Sequence, residues 1–116
     1  MENLKRLQNS SKNLLSVVLS FKNEEENLWE LIKRLRNVLT VERDKGIITD
    51  HELIFVNDAS TDHSLEILLE EAKGHNDIKI LNMSRTFGVT PCVLAGLRYA
   101  SGDMVVYMDA DLQDPP

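Results

Sequence analysis

Four short apolar runs alternate with three stretches of helical period, and few folds accommodate that alternation. Leu14-Leu15-Ser16-Val17-Val18-Leu19 is a buried strand by composition, and Glu52–Val56, Ile78–Met83 and Met104–Met108 repeat its character. After the first run, Leu28, Leu31, Ile32, Leu35, Val38 and Leu39 recur at the spacing of one helical face. Asn23 followed by Glu24, Glu25 and Glu26 is expected to open this helix, as a cap with an acidic first turn. The helix is expected to run to about Val41, with Trp29 packed beside its stripe, until Asp44-Lys45-Gly46 breaks it. Leu65, Leu68, Leu69 and Ala72 line a second helix closed by Gly74, with Ser60, Thr61 or Asp62 as its cap. Thr90-Pro91 reads as cap and first position of a third helix reaching about Ala100, with Gly102 after it.

The order β-α-β-α-β-α-β predicts an α/β fold. It is Rossmann-like, with a mainly parallel sheet and helices on both faces. One domain is expected over residues 14–116, behind a polar lead of residues 1–13. The sequence closes on Pro115-Pro116, directly after its densest acidic cluster, so a domain truncated after its fourth strand is expected. In such sheets ligands bind beyond the carboxyl ends of the strands. Those ends are Ser20–Glu24, Asn57–Asp62, Ser84–Gly88 and Asp109–Asp114, and polar residues concentrate at all four.

Asp109 and Asp111 are two residues apart at the last of these ends. Two carboxylates held close repel unless a cation lies near them, and hard oxygen donors favour Mg²⁺ or Mn²⁺. Gln113 and Asp114 add oxygen donors. An Asp-rich turn that merely caps a helix is the plain structural alternative. Pro115-Pro116 disfavours it by stiffening the backbone after the turn. Asp58 can accept a hydrogen bond from a nucleobase ring N–H. Arg85 suits an anion, or a surface ion pair. Glu24 suits a helix start or a pocket.

The formal net charge of −6 argues against a nucleic-acid partner, which needs a basic face, but not against nucleotides held through a metal. Cys92 is the single cysteine, so no intrachain disulfide forms; it is expected to pack within its helix. No apolar run is long enough to span a membrane, and Met1–Lys12 carries no apolar signal core. A cytoplasmic protein is expected. His51, His63 and His75 lack metal-ligand spacing.

Four motifs occur in register from about Leu15 to the end: Asn23-Glu24-Glu25-Glu26-Asn27, Val56-Asn57-Asp58-Ala59-Ser60-Thr61-Asp62, Ser84-Arg85-Thr86-Phe87-Gly88 and Met108-Asp109-Ala110-Asp111-Leu112-Gln113-Asp114-Pro115-Pro116. The set resembles family 2 of the inverting glycosyltransferases, and most of all the dolichyl-phosphate mannosyltransferase and polyprenyl-phosphate glycosyltransferase branch. The resemblance implies a GT-A fold and a nucleotide-sugar donor, UDP- or GDP-linked. It implies that Glu24 lies in the nucleotide pocket and that Val56 and Asp58 hold the base. It places Asp109, Ala110 and Asp111 against the nucleotide sugar, and Arg85, in the third matching motif, is counted with the nucleotide-sugar-binding residues on its own chemistry. It makes Asp109, Asp111 and Gln113 the metal set, for Mg or Mn. It implies inverting transfer to a lipid-phosphate or glycan acceptor, a polyprenyl phosphate among them, at the membrane's cytoplasmic face in a full-length protein. Any general base would lie beyond Pro116.

Two motifs depart from the family pattern. The usual Pro-x-Tyr-Asn-Glu is Ser20-Phe21-Lys22-Asn23-Glu24, and the usual Asp-Asp-Gly-Ser is Asn57-Asp58-Ala59-Ser60. Two other readings stay open on the residues alone. An Asp-x-Asp phosphohydrolase would carry that motif after its first strand rather than its fourth. A non-catalytic signalling-type α/β module would bind Mg²⁺ without a nucleotide.

Overall fold

The computed structural model describes residues 13–110. Strand β1 (Leu14–Phe21) leads through helix α1 (Leu28–Asp44) to β2 (Asp50–Asn57), and α2 (Ser64–Gly74) leads on to β3 (Ile78–Asn82). Helix α3 (Val89–Tyr99) then returns the chain to β4 (Met104–Asp109). All four strands are parallel, in the order β3-β2-β1-β4. The chain therefore builds outward twice from β1 and then crosses back to its other side. Right-handed crossovers running in opposite directions put their helices on opposite faces of the sheet.

Strand parity shows this directly. Val17, Leu19, Phe21, Leu53 and Phe55 pack with Leu28, Leu31, Ile32 and Leu39 of α1 and Leu68 of α2. The alternate residues Val18, Ile54 and Val56 pack on the other face with Cys92 of α3. Helix α3 lies very close to the sheet. A Cβ on Gly96 would meet the Val18 side chain, so this helix position has room only for hydrogen.

Several expectations at element ends are corrected. Asn23 does not cap α1. It takes a left-handed φ of 55°, and its Oδ1 accepts from the Thr61 and Asp62 amides instead. The residues after it form a turn in which Asn27 and Leu28 donate to the Glu24 carbonyl. The helix runs on to Asp44, and Gly46, at φ 80°, turns the chain away. Val38 sits at the border of the apolar stripe and is exposed. Trp29 is not packed beside the stripe; it is 59% exposed, with the Lys33 ammonium over its ring. On α2, Leu69 faces out and Ile67 packs inward in its place. Helix α3 starts one residue before Thr90, with Gly88 at the cap position, so Pro91 falls third. That remains in the first turn, where no amide needs a helical partner.

Strand β4 differs most from expectation. Among the described residues it pairs only with β1, and Met104, Val105 and Val106 are each more than 40% exposed. Burial of this strand was expected from its composition, but among the described residues it forms an edge. What fixes its start is polar. Glu52, 8% exposed, accepts from the Ser16 hydroxyl and the Ser101 amide and pairs with Lys79 at 2.7 Å. Ser16 Oγ in turn accepts from the Gly102 amide at 2.8 Å. The α3–β4 turn is thereby held over β1 and β2. On the opposite face Asp77 accepts from Arg36 at 2.7 Å and contacts His51 at 2.8 Å.

Candidate functional site

With strand order β3-β2-β1-β4, the direction of winding reverses between β1 and β4. Such a reversal opens a crevice beyond the carboxyl ends of the two strands in a parallel α/β sheet. A cleft of about 220 Å³ lies there. Ser20, Lys22 and Glu24 line it from the end of β1, and Asp58 from the end of β2. Gly88 and Cys92 contribute from the start of α3, and Asp109 and Ala110 from the end of β4.

The loops around it are knitted by side chains capping backbone. The Asn57 carboxamide accepts the Ser60 amide, and Ser60 Oγ accepts the Asn23 amide. Between them Ala59 adopts φ 60°, where a glycine would sit without strain; holding a Cβ there costs about 1 kcal/mol. The cap position of α2 is His63, so none of Ser60, Thr61 and Asp62 occupies it; Asp62, one residue earlier, receives the Ser64 amide at the start of the helix and the Glu25 amide from the neighbouring loop.

Asp58 is the hub. Its Oδ1 accepts the Phe87 amide at 2.7 Å and its Oδ2 the Gly88 amide at 3.0 Å. Its own amide donates to the Phe21 carbonyl. Asp58 thus ties the end of β2 to the end of β1 through its backbone and to the loop before α3 through its carboxylate. Burial pushes this carboxyl up, but the two amides, the Cys92 thiol and the Lys22 charge outweigh burial and hold it below the usual range. Cys92 packs as expected, fully buried on α3 against Val18, Ile54 and Val56. Its thiol also faces Asp58, and burial followed by that carboxylate pushes it up to about 11, so it stays a neutral thiol.

At the β4 end, Asp109 pairs in register with Ser20 of β1, and the Ala110 amide donates to the Ser20 carbonyl. Tyr107, two residues earlier on the same strand face, donates its hydroxyl to Asp109 Oδ1 at 2.5 Å and contacts Ser20 Oγ at 2.8 Å. Asp109 is exposed, whereas Ala110 is buried at 2%.

The structure therefore gathers Glu24, Asp58, Asp109 and Ala110 around one cleft. Glu24 shares one carboxylate oxygen with the Asn27 side chain at 3.0 Å. Val56 is not among the lining residues; its side chain is fully buried against α3. Arg85 is exposed, with its guanidinium stacked over the Phe87 ring at 4.7 Å, and does not line the cleft. Asp111, Gln113 and Asp114 lie outside the described residues. Among the described residues no group of three or more acidic, His or Cys side chains could hold a metal ion. Motif reading missed Tyr107. Its parity with Asp109 was visible in the sequence, but its contact with Ser20 depends on β1 and β4 being neighbours.

Four carboxyls ionise more readily in the folded chain than their ordinary values of 4.5 for glutamate and 3.8 for aspartate. At each, burial alone would push the carboxyl up, and its donors outweigh burial: at Glu52 chiefly Lys79 and Ser16, at Asp58 the Phe87 and Gly88 amides, at Asp62 the Ser64 hydroxyl and amide, at Asp77 Arg36 and His51. Each contributes stability above its ordinary value and loses it as pH falls through the lower folded value. Urea unfolding is expected to show constant stability at neutral pH and a steep decline below about pH 4.5. A midpoint unchanged down to about pH 3 would contradict these networks.

Comparison with known proteins agrees with this fold. The family model described as glycosyl transferase family 2 matches residues 16–116. An uncharacterized glycosyltransferase of Synechocystis is 46% identical over 102 residues, which is 88% of this chain and 30% of that protein. An undecaprenyl-phosphate 4-deoxy-4-formamido-L-arabinose transferase of Proteus mirabilis is 38% identical over 105 residues, 90% of this chain and 31% of that protein. Among solved structures, S. aureus TarS 1-349 in complex with UDP superposes with a TM-score of 0.67 at 27% identity, over 84% of this chain and 27% of that one. The mannosyltransferase PcManGT from Pyrobaculum calidifontis, in complex with GDP-Man and Mn²⁺, gives the same TM-score at 26% identity, again over 84% of this chain and 27% of that one. The chain thus spans about 30% of the length of the curated relatives it matches. With a parallel sheet of the GT-A type, and a family match that runs from β1 through all four motifs, the chain belongs to glycosyl transferase family 2.

Proposed function

We propose that this chain is the donor-binding part of an inverting glycosyltransferase that takes its sugar from a UDP- or GDP-linked donor with the help of Mg²⁺ or Mn²⁺. The observation that carries the reading is the cleft at the β1/β4 reversal, where Glu24, Asp58, Asp109 and Ala110 meet. Asp58 and Glu24 suit the nucleoside end, as hydrogen-bond acceptors on the β1–β2 side. Arg85 reaches the phosphates only if its stack on Phe87 opens. Val56 acts through packing, by fixing the strand from which Asp58 projects.

The donor set fits a hard divalent cation. Asp109 presents a carboxylate at the rim, and Asp111 and Gln113 follow it as oxygen ligands. Such an ion, when bound, stabilises negative charge on the departing nucleoside diphosphate. The chain's own part is to bind and orient the donor, with Asp58 and the loops it anchors as a rigid floor. Lys22, at the cleft wall, adds a positive charge for the diphosphate.

A lipid-phosphate acceptor is proposed for the whole protein, and the Proteus relative's name supports that class. Such an acceptor is already anionic and needs no general base. No helix among the described residues is long and apolar enough to cross a membrane. The proposal puts the enzyme at the membrane's cytoplasmic face.

Calorimetry with UDP-sugars and GDP-mannose, with and without Mn²⁺, tests the reading. Metal-dependent binding of one nucleotide class is expected, and Asp111→Asn is expected to weaken it about tenfold or more with the unfolding midpoint unchanged. Absence of any nucleotide binding by folded protein would refute the assignment.

A further inference from the structure

The hydroxyl of Tyr107 is tied into the cleft on both sides and has no part in the donor-binding scheme above. It stands two residues before Asp109 on β4, so both side chains leave the strand on the same face. Ser20 lies opposite Asp109 on β1. The three make a chain across the strand reversal: Ser20 Oγ at 2.8 Å from the Tyr107 hydroxyl, and that hydroxyl donating to Asp109 Oδ1 at 2.5 Å. The Ala110 amide closes the other side onto the Ser20 carbonyl. Ser20 is 8% exposed and Tyr107 half-buried against the α3 side of the sheet, while Asp109 opens to solvent. An exposed aspartate on an edge strand would ordinarily sample several rotamers and offer either oxygen, or both, to a ligand.

We infer that Tyr107 is a positioning residue: by occupying Asp109 Oδ1 it fixes the carboxylate and presents Oδ2 to the cleft. Asp109 then meets its ligand chiefly through Oδ2, and bidentate chelation by Asp109 is disfavoured, because Oδ1 already accepts the hydroxyl. The effect is that of the outer hydrogen bonds that orient metal-ligating side chains. The consequence for binding rests on the donor-site reading above; the orientation of Asp109 does not.

Two measurements on Tyr107→Phe separate the two claims. The first needs no ligand: the carboxylate ¹³C resonance of Asp109, followed by NMR in the free protein. It is expected to shift when the hydroxyl is removed and to stay in place in Ser84→Ala, a change outside the chain of contacts. An unmoved Asp109 resonance in Tyr107→Phe overturns the inference, whatever the protein binds. The second is calorimetry of UDP and of GDP in the presence of Mn²⁺. Affinity for the nucleotide that binds is expected to fall about tenfold in Tyr107→Phe, with the urea midpoint close to that of the parent. In the double variant Tyr107→Phe/Asp109→Asn the loss is expected to be no greater than in Asp109→Asn alone, since the hydroxyl acts through the carboxylate. Equal affinity of Tyr107→Phe and parent, or additive losses, would count against the positioning role. Failure of the parent to bind either nucleotide would instead strike the donor-site reading, and the resonance would still decide the role of Tyr107.

Discussion

Replacing Asp58 by asparagine is expected to lower stability by about 2 kcal/mol and, independently, to reduce nucleotide affinity by at least about tenfold. Both oxygens of this carboxylate accept backbone amides, from Phe87 and Gly88, and the side chain is almost wholly buried. An asparagine keeps one acceptor and turns a donor toward the other amide. One part-buried N–H then loses its partner and faces another N–H. Hydrogen bonds to a charged group contribute roughly 1.5–3 kcal/mol, and an orphaned buried donor carries its full desolvation cost. The loop over 84–88 would loosen, and with it the wall of the cleft. Asp62 supplies the comparison. It also accepts backbone amides, at Ser64 and Glu25, but it does not line the cleft. Asp62→Asn is therefore expected to cost stability without a comparable loss of binding. Urea denaturation and calorimetry on both variants check the pair. Equal binding losses at the two sites would mean that Asp58 acts only as a structural cap.

The second large effect is expected far from the cleft, at Gly102. A Cβ at this position would lie 2.5 Å from Ser16 Oγ, 2.6 Å from the Leu14 carbonyl oxygen and 2.8 Å from the Ser16 amide nitrogen. Two of those three atoms are backbone of the strand that anchors the sheet, so no rotamer change relieves the contact. Gly102→Ala is expected to cost about 3 kcal/mol or more, at the top of the range for overpacking. The damage should be local in its first effect. The Gly102 amide would leave Ser16, Glu52 would lose its ordered partner, and β4 would slip from β1. Because β4 carries Asp109 into the site, nucleotide binding should fall together with stability. Gly74→Ala, where a Cβ meets nothing, serves as the control and should leave both nearly unchanged. A Gly102→Ala protein with the parent's urea midpoint would show that the α3–β4 turn is not seated as described.

How far the sequence reaches can be argued from particular residues. Element type was legible because period separates strands from helices: Val17 and Val18 lie in a β-branched run, while Leu28, Leu31, Ile32 and Leu35 recur on one helical face. Element ends were less legible, because capping side chains choose among partners that are distant in sequence. Asn23 looked like a cap for the residues after it, and it spends its side chain on Thr61 and Asp62 instead. Burial of β4 was misjudged for a similar reason. Its apolar composition fits an interior strand, yet its neighbours among the described residues cover only part of it.

The site divides along the same line. The sequence by itself determined which residue types stand at the four strand ends, and that they are acceptors, amides and a metal-suited acidic pair rather than a basic face. It determined that the strands run parallel as well, since helices long enough to cross over leave little choice of hand. Only the tertiary structure decided that β4 lies beside β1, so that Asp109 meets Ser20 and Tyr107 rather than the end of β3. Only it decided that Asp58 is held by the Phe87 and Gly88 amides, that Arg85 stacks on Phe87, and that Val56 faces α3. The physical reason is range. Period and propensity act over a few residues, whereas a hydrogen bond between residues 58 and 87 exists only after the sheet has brought their strand ends together.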